Sequence, residues 1–454
     1  MSSMTKTQNT VAAIAVVAVI IIAGVGIYFF AGSHNDSSAE KLSSSLLVYG
    51  NANEDLVMDS SDTAIIQDII DGKKSFADYP MADANQDGNV TADDLTVVKA
   101  LIAGTSTTAY VQCLDLSGNS TVVAVAYPMK NVVPFGTNIV EPFLYVGGGA
   151  YTAGYFVSSY KNLEASMSGA INLGGSARTI SDVAWKNFMQ LDSSLESSGG
   201  IGALLVDYSA KSQITDSYVS DLKDAGIPVI TYASADQVQE IATALTLGFL
   251  CGKTTEKLGL SYAELSLKVY NEIQSKVYQK TDENKVSVIN LTMYIYVCQN
   301  DSTFNQSPQY VGALCYYNIN SAFKTAYAGS NSVKMEATDA LANYDDADYL
   351  INNRSLDVGQ TDIDAAMVEI WDKYISYFQN LDDYKNLVYI NNLLPGACKL
   401  AYLAAALYPD QFSDSWADSV MQSFIDGGYA PLEGQTLSTI FTSFDYDDYV
   451  AAKA

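Results

Sequence analysis

Residues 83–94 read DANQDGNVTADD. Oxygen donors fall at loop positions 1, 3, 5, 7, 9 and 12: Asp83, Asn85, Asp87, the backbone carbonyl of Asn89, Thr91 and Asp94. Ca²⁺ takes six to eight oxygen ligands, and this spacing wraps them around one ion, with Gly88 permitting the sharp turn at position 6. The pattern recurs with an offset of 32 residues, where Asn51, Asn53, Asp55, Asp59 and Asp62 stand at positions 1, 3, 5, 9 and 12. That copy begins with a neutral Asn and carries Leu56 in place of the glycine, so it is the weaker site. Each loop runs into an amphipathic stretch that ends in glycine, as helix C-termini commonly do. The expected cofactor is therefore Ca²⁺, one ion in the second loop and room for another in the first. The competing reading is an acidic, solvated loop that only caps its helix.

Other chemistry is thin. His34 is the single histidine, so imidazole metal sites and Ser/His/Asp or Cys/His catalytic sets have almost nothing to build on. The five cysteines, Cys113, Cys251, Cys298, Cys315 and Cys398, show no metal-ligand spacing, and an odd number cannot close a disulfide framework. Whether Cys298 pairs with Cys315 is left open. Lys and Arg number 24 against 51 Asp and Glu, a formal charge of −27, which argues against a nucleic-acid partner. Arg178 and Arg354 are the only arginines, whereas tyrosines number 32. Tyrosine suits binding surfaces, with an apolar body and a polar tip, but it equally suits an exported surface.

The elements that must position these residues follow from periodicity. Residues 11–30 form an uncharged apolar run of twenty, about 30 Å as a helix, which matches a bilayer core. With Lys6 before it and the acidic bulk after it, the run orients the remainder of the chain outward. An uncleaved anchor is favoured over a cleaved signal peptide because the run exceeds the usual signal length. Residues 107–128 read as two strands around a turn at 117–119. IGALLVDY (201–208) and IPVITYAS (227–234) read as buried strands flanking a helix over 209–226, a βαβ unit that implies a parallel sheet. Tyr262, Leu265, Val269, Ile273 and Val277 place one face on a long helix over 254–280. A second series follows: strands at 286–291, 346–352 and 387–391, with helices at 362–380 and 396–409.

The predicted fold class is α/β: two α/β lobes joined by one long helix, preceded by a transmembrane helix and a small helical calcium module. The expected divisions are an anchor (1–31), a polar tether (32–46), the paired loop–helix module (47–105), an N-terminal lobe (106–253), the linking helix (254–283) and a C-terminal lobe (284–454). The paired loops with Asp at position 12 resemble the type I dockerin module over about 47–105. This implies a cohesin-like partner or, as slightly favoured, a calcium-stiffened spacer.

The lobe–helix–lobe order resembles the class III substrate-binding proteins of ABC importers, which carry iron-siderophores, haem and cobalamin. The matching pieces are VVPFGTNIVEPFLYVGG (132–148), GGSARTIS (174–181), the stretch from Ala203 to Ile230, the single linking helix and LPGACKLAYLAAALYPDQF (394–412). The strand IGALLVDY departs from the family pattern in lacking a preceding Lys-Pro-Asp. The resemblance implies a metal-chelate or corrinoid ligand in the cleft between lobes, an ABC permease as partner, and no catalysis. It implies ligand contacts from Phe135, Thr137, Asn138, Arg178, Tyr208, Ser209 and Lys211 in one lobe. In the other it implies Tyr294, Tyr296, Arg354, Asn391 and Asn392. Scarce arginine favours a neutral or amphipathic ligand over a highly anionic one. Each candidate has a structural alternative: surface ion pairing for the arginines, core packing for the paired tyrosines, a helix cap for Asn391 and Asn392. Two other functions remain open, dockerin-mediated assembly and an exported hydrolase built on a carboxylate pair.

Overall fold

The computed structural model describes residues 43–156, 161–176, 179–233, 237–277, 286–292, 296–298, 315–317, 332–334, 349–354, 363–378, 386–391 and 393–454. The apolar run 11–30 and most of the expected tether lie outside these residues, as do Arg178, Tyr294 and Asn392. Among the described residues no helix is long and apolar enough to cross a membrane.

Helices α1 (Ser60–Ile70) and α2 (Ala92–Ala103) follow the two repeated loops. Asp59 and Thr91 cap them, and Asp62 and Asp94 complete capping boxes by accepting the N-cap amides. The two loops trace the same path: Glu54 and Gln86, 32 residues apart, have φ of 55° and 57°. This segment does not stand free. Val48 bridges Val111, the Tyr49 amide donates to the Tyr110 carbonyl at 2.9 Å, and the Leu47 amide donates to Thr246 Oγ1 at 3.0 Å.

The first lobe is built on β1 (Thr107–Leu114), β2 (Ser120–Tyr127), β3 (Val132–Phe135), β4 (Gly154–Phe156), β5 (Ile171–Gly174), β6 (Ala203–Asp207) and β7 (Val229–Tyr232). Its five-stranded sheet has the order β2-β1-β7-β6-β3, while β4 and β5 pair separately. β3, β6 and β7 run parallel; every residue of β3 and β6 is buried, as continuous apolar runs covered on both faces require. The covering helices are α3 (Thr137–Tyr145), α4 (Lys161–Ala165), α5 (Asp182–Ser194), α6 (Asp216–Ala225) and α7 (Gln237–Leu250). The expected helix over 209–226 is corrected: residues Tyr208–Gln213 form a 3₁₀ turn and α6 starts only after Thr215. Asp207 accepts from the Ser209 amide and Thr215 from the Tyr218 amide, so two side-chain caps divide the segment.

Helix α8 (Lys253–Val277) is 25 residues long, about 37 Å. Tyr262, Ser266, Val269, Tyr270, Ile273 and Val277 form its buried face. It leads to the second lobe, with β8 (Val286–Thr292), β9 (Tyr296–Cys298), β10 (Cys315–Tyr317), β11 (Ser332–Lys334), β12 (Tyr349–Arg354), α9 (Ile363–Phe378), β13 (Leu387–Asn391), α10 (Gly396–Leu407), α11 (Asp414–Asp426), β14 (Ser443–Phe444) and α12 (Tyr446–Lys453). The sheet order is β11-β9-β8-β12-β13-β14, with β10 also beside β8; β8, β12 and β13 are parallel. One apolar core runs from Leu46 and Leu101 through Val111, Tyr145, Phe249 and Tyr262 to Tyr389, Leu403 and Phe424. A second core, with Phe135, Trp185, Phe188 and Leu204, lies within the first lobe.

α7 and α8 pack closely at two glycines. A Cβ on Gly248 would lie 2.7 Å from the Thr255 carbonyl oxygen, and one on Gly259 would lie 3.3 Å from that of Ala244. Gly248→Ala is expected to lower stability in urea denaturation, because overpacking costs about 1–3 kcal/mol and the better helix propensity of alanine returns only about 1 kcal/mol. An unchanged or increased stability contradicts this close packing.

Candidate functional site

The strand ends of the first lobe converge because β3 and β6 are parallel neighbours, with Phe135 opposite Val206. Gly136, with φ of +97°, turns the chain into α3, and a Cβ there would collide with Asp207. Asp207 Oδ2 accepts from the Asn138 amide at 3.1 Å and Oδ1 from the Ser209 amide at 2.8 Å, so one buried carboxylate ties both loops together. Burial raises its proton affinity, and these amide bonds oppose the rise. Phe135 is buried edge-on against Phe156, and Phe135, Thr137, Val140, Tyr155, Phe156 and Met167 line a small hollow. Thr137 and Asn138 are half-buried and Ser209 is exposed. Tyr208 turns toward the β1–β2 connection: its hydroxyl donates to the Ser117 carbonyl at 3.4 Å. Lys211 Nζ sits 3.4 Å from its ring centre, a cation–π contact.

In the second lobe β12 and β13 are parallel neighbours with Arg354 opposite Asn391. Asn391 is fully buried and its amide serves the backbone: Nδ2 donates to Phe441 O at 2.9 Å, and Oδ1 accepts from the Leu393 amide at 3.0 Å. Tyr296 begins β9 opposite Thr292. The side chains of Tyr296 and Arg354 lie outside the description.

The lobes meet where α3 reaches the turn after β13. Tyr145 Oη donates to the Leu393 carbonyl at 3.0 Å. One helical turn before Tyr145, on the same face, stands Glu141; one turn earlier again is Thr137 of the hollow. Glu141 is 8% exposed and its Oε1 has no hydrogen-bond partner among the described residues. Across from it, Lys399 on α10 is 3% exposed. Glu240 on α7 completes the group, accepting from Tyr262 Oη of α8 and from the Gly396 amide at 3.2 Å. A Cβ at Gly396 would collide with that carboxylate, so the bare glycine lets Glu240 reach the first turn of α10. Burial pushes the Glu141 carboxyl up to about 7; the Lys399 charge opposes this, and Glu240 and Asp207 add to it. Sequence reasoning missed Glu141, Glu240 and Lys399. The available signal was a lone charge inside an apolar helix, as in NIVEPFLYV and GACKLAYLAAAL.

In the second repeated loop, Asp83 accepts from the Asp87 amide at 3.1 Å and the Gly88 amide at 2.8 Å, and Asn85 Oδ1 from Asp87 at 2.9 Å. Asp87 Oδ1 accepts from the Asn89 amide at 2.9 Å, and Asp94 from those of Asn85 and Thr91 at 3.1 and 2.7 Å. In the first loop Asp62 likewise accepts from Asn53 and Asp59, Asp55 from Val57, and Asp59 from Ser61. Asn51 is fully buried; its Nδ2 donates to Leu46 O and Asp55 O, while its Oδ1 has no partner among the described residues. Burial raises the carboxyls of Asp83 and Asp62, the latter to about 6. Among the described residues no three His, Cys, Asp or Glu side chains converge as a metal centre. In both loops the side-chain oxygens accept backbone amides of their own loop.

The fold is similar to that of TroA-like periplasmic binding proteins. The chain superposes on FepB of Veillonella parvula with a TM-score of 0.54 at 13% identity, covering 74% of this chain and 99% of that one. Weaker likenesses include the molybdate periplasmic binding protein MolA of Haemophilus influenzae (TM-score 0.47, 11% identity, 70% and 97% covered). Another is the periplasmic haem-binding protein RhuT of Roseiflexus sp. RS-1 (TM-score 0.42, 15% identity, 62% and 99% covered). No protein-family model and no curated protein matches the chain, so the dockerin-like reading of 47–105 gains nothing from comparison.

A carboxyl held near pH 7 in the folded chain but near its ordinary value of 4.5 when unfolded binds more protons folded than unfolded between those values. Stability is therefore lost as pH rises from 4.5 through 7, by an amount on the order of 3 kcal/mol. Urea denaturation of Glu141→Gln should lack that part of the fall, so the variant gains on the native chain from pH 5 to pH 8. Parallel pH profiles contradict the burial of an ionisable Glu141.

Proposed function

We propose that the chain is an extracytoplasmic solute receptor that captures a metal chelate or corrinoid and hands it to the permease of an ABC importer. The observation that carries this reading is that two α/β lobes, each with parallel strands, meet where the end of α3 bonds to the turn after β13, with the long helix α8 between them in the chain. Open α/β sheets bind ligands at the carboxyl ends of their strands, and clefts between lobes are preferred ligand sites. The likeness to FepB supports the same architecture. In this reading Phe135, Thr137, Asn138 and Arg178 meet the ligand from one side, and Tyr294, Tyr296, Arg354 and Asn392 from the other. Residues 11–30 anchor the chain to the membrane, and no catalysis is involved. With two arginines in a chain of charge −27, a neutral or amphipathic chelate is proposed over a highly anionic one.

Calcium enters the proposal as a structural ion of loop 83–94, held by Asp83, Asn85, Asp87, Thr91, Asp94 and the Asn89 carbonyl. Loop 51–62 would take a second, weaker ion through Asn51, Asn53, Asp55, Asp59 and Asp62. A cohesin-type partner is the less favoured reading, because Leu47, Val48 and Tyr49 are bonded into the first lobe rather than displayed on a separate module.

Thermal melts of the full chain against haem, cobalamin and ferric siderophores, with and without EGTA, test both parts. One chelate is expected to raise the melting temperature by several degrees whether or not EGTA is present. Failure of every chelate, with a calcium response alone, contradicts the receptor reading. Calcium itself is expected to raise the melting temperature, and Asp83→Ala should abolish most of that rise. An identical response to calcium in the variant contradicts the assignment of loop 83–94.

A further inference from the structure

Three buried charged side chains come together at the seam from three different elements. Glu141 belongs to α3 of the first lobe, Glu240 to α7 and Lys399 to α10 of the second lobe. Glu240 is already served by Tyr262 Oη and the Gly396 amide, and Asp207 by two backbone amides. Among the described residues, Glu141 Oε1 has no hydrogen bond, and the one positive charge acting on it is Lys399. A buried carboxylate without a countercharge is strongly destabilising, so an ionised Glu141 depends on a residue of the opposite lobe. We propose that Glu141, Lys399 and Glu240 form a charge latch between the lobes, in which Lys399 supplies the countercharge that Glu141 needs while the seam is shut. This goes beyond solute capture and holds whichever chelate the cleft accepts.

The latch is sensitive to pH through Glu141. Among the described residues the charged groups facing it are Asp207 from β6, Glu240 from α7 and Lys399 from α10. Tyr145 on α3, Tyr262 on α8 and Cys398 on α10 are held neutral by burial. With Glu141 protonated, Lys399 is matched by Glu240 and the seam carries no excess charge apart from the amide-bound Asp207. With Glu141 ionised, two glutamates share one lysine, and opening the seam lets water solvate the surplus. Higher pH therefore loosens the junction between α3 and the first turn of α10.

Hydrogen exchange of the segment 393–400 in the full chain reads this directly, because the Gly396 amide is bonded to Glu240. Each variant is compared with the native chain at the same pH, which cancels the intrinsic pH dependence of exchange. Lys399→Met should speed exchange about tenfold at pH 8 and less than about threefold at pH 5.5, as expected when local opening becomes easier only for ionised Glu141. Adding Glu141→Gln should bring the pH 8 rate back to within about threefold of native. Glu141→Gln alone should slow exchange at pH 8. Equal acceleration by Lys399→Met at both pH values, or no rescue by Glu141→Gln, overturns the latch and makes Lys399 a packing residue. If Lys399→Met fails to fold, unchanged or faster exchange in Glu141→Gln at pH 8 overturns it.

Discussion

The seam between the lobes sets the terms for the rest of the structure. A carboxylate at 8% exposure and a lysine at 3% are brought together from residues 141 and 399, with Glu240 beside them. Charges this buried persist only when their partners are held in place, so the elements that carry them must be rigid. The sequence meets that demand with α7 and α8, which pack backbone to backbone at Gly248 and Gly259, and with Tyr145, which ties α3 to the Leu393 carbonyl. The hollow at the strand ends of the first lobe adjoins this framework. Thr137 of the hollow, Glu141 of the charged group and Tyr145 of the seam are successive turns of one helix face.

The same continuity reaches the repeated loops. Their helices, capped by Asp59 and Thr91, bury Ile66, Val98 and Leu101 in the core that also holds Phe249 and Tyr262. Tyr127 Oη donates to the Leu101 carbonyl at 3.2 Å, and the chain before α1 runs along β1. An ion bound in loop 83–94 would thus stiffen a segment that already braces the first lobe.

Much of the fold was legible in local pattern. The apolar runs within 201–208 and 387–391 announced buried parallel strands, and the three-and-four spacing from Tyr262 to Val277 announced α8. The short strands β4, β5, β9, β10, β11 and β14 were not read, because two to four residues carry too little periodicity and owe their existence to distant pairing. The late start of α6 was hidden because Asp207 and Thr215 cap backbone amides that the helical pattern seemed to claim. Of the candidate site, the strand-end loops followed from topology. Glu141, Glu240 and Lys399 did not, since an isolated charge in an apolar helix says nothing about what faces it from a distant part of the chain.

The central claim is that the loop–helix segment, both lobes and α8 form one cooperative body around a shared core. Differential scanning calorimetry of the full chain tests this most directly. A single cooperative transition, with calorimetric and van't Hoff enthalpies in agreement, is the predicted result. Two or more resolved transitions, with the lobes melting independently, would contradict it.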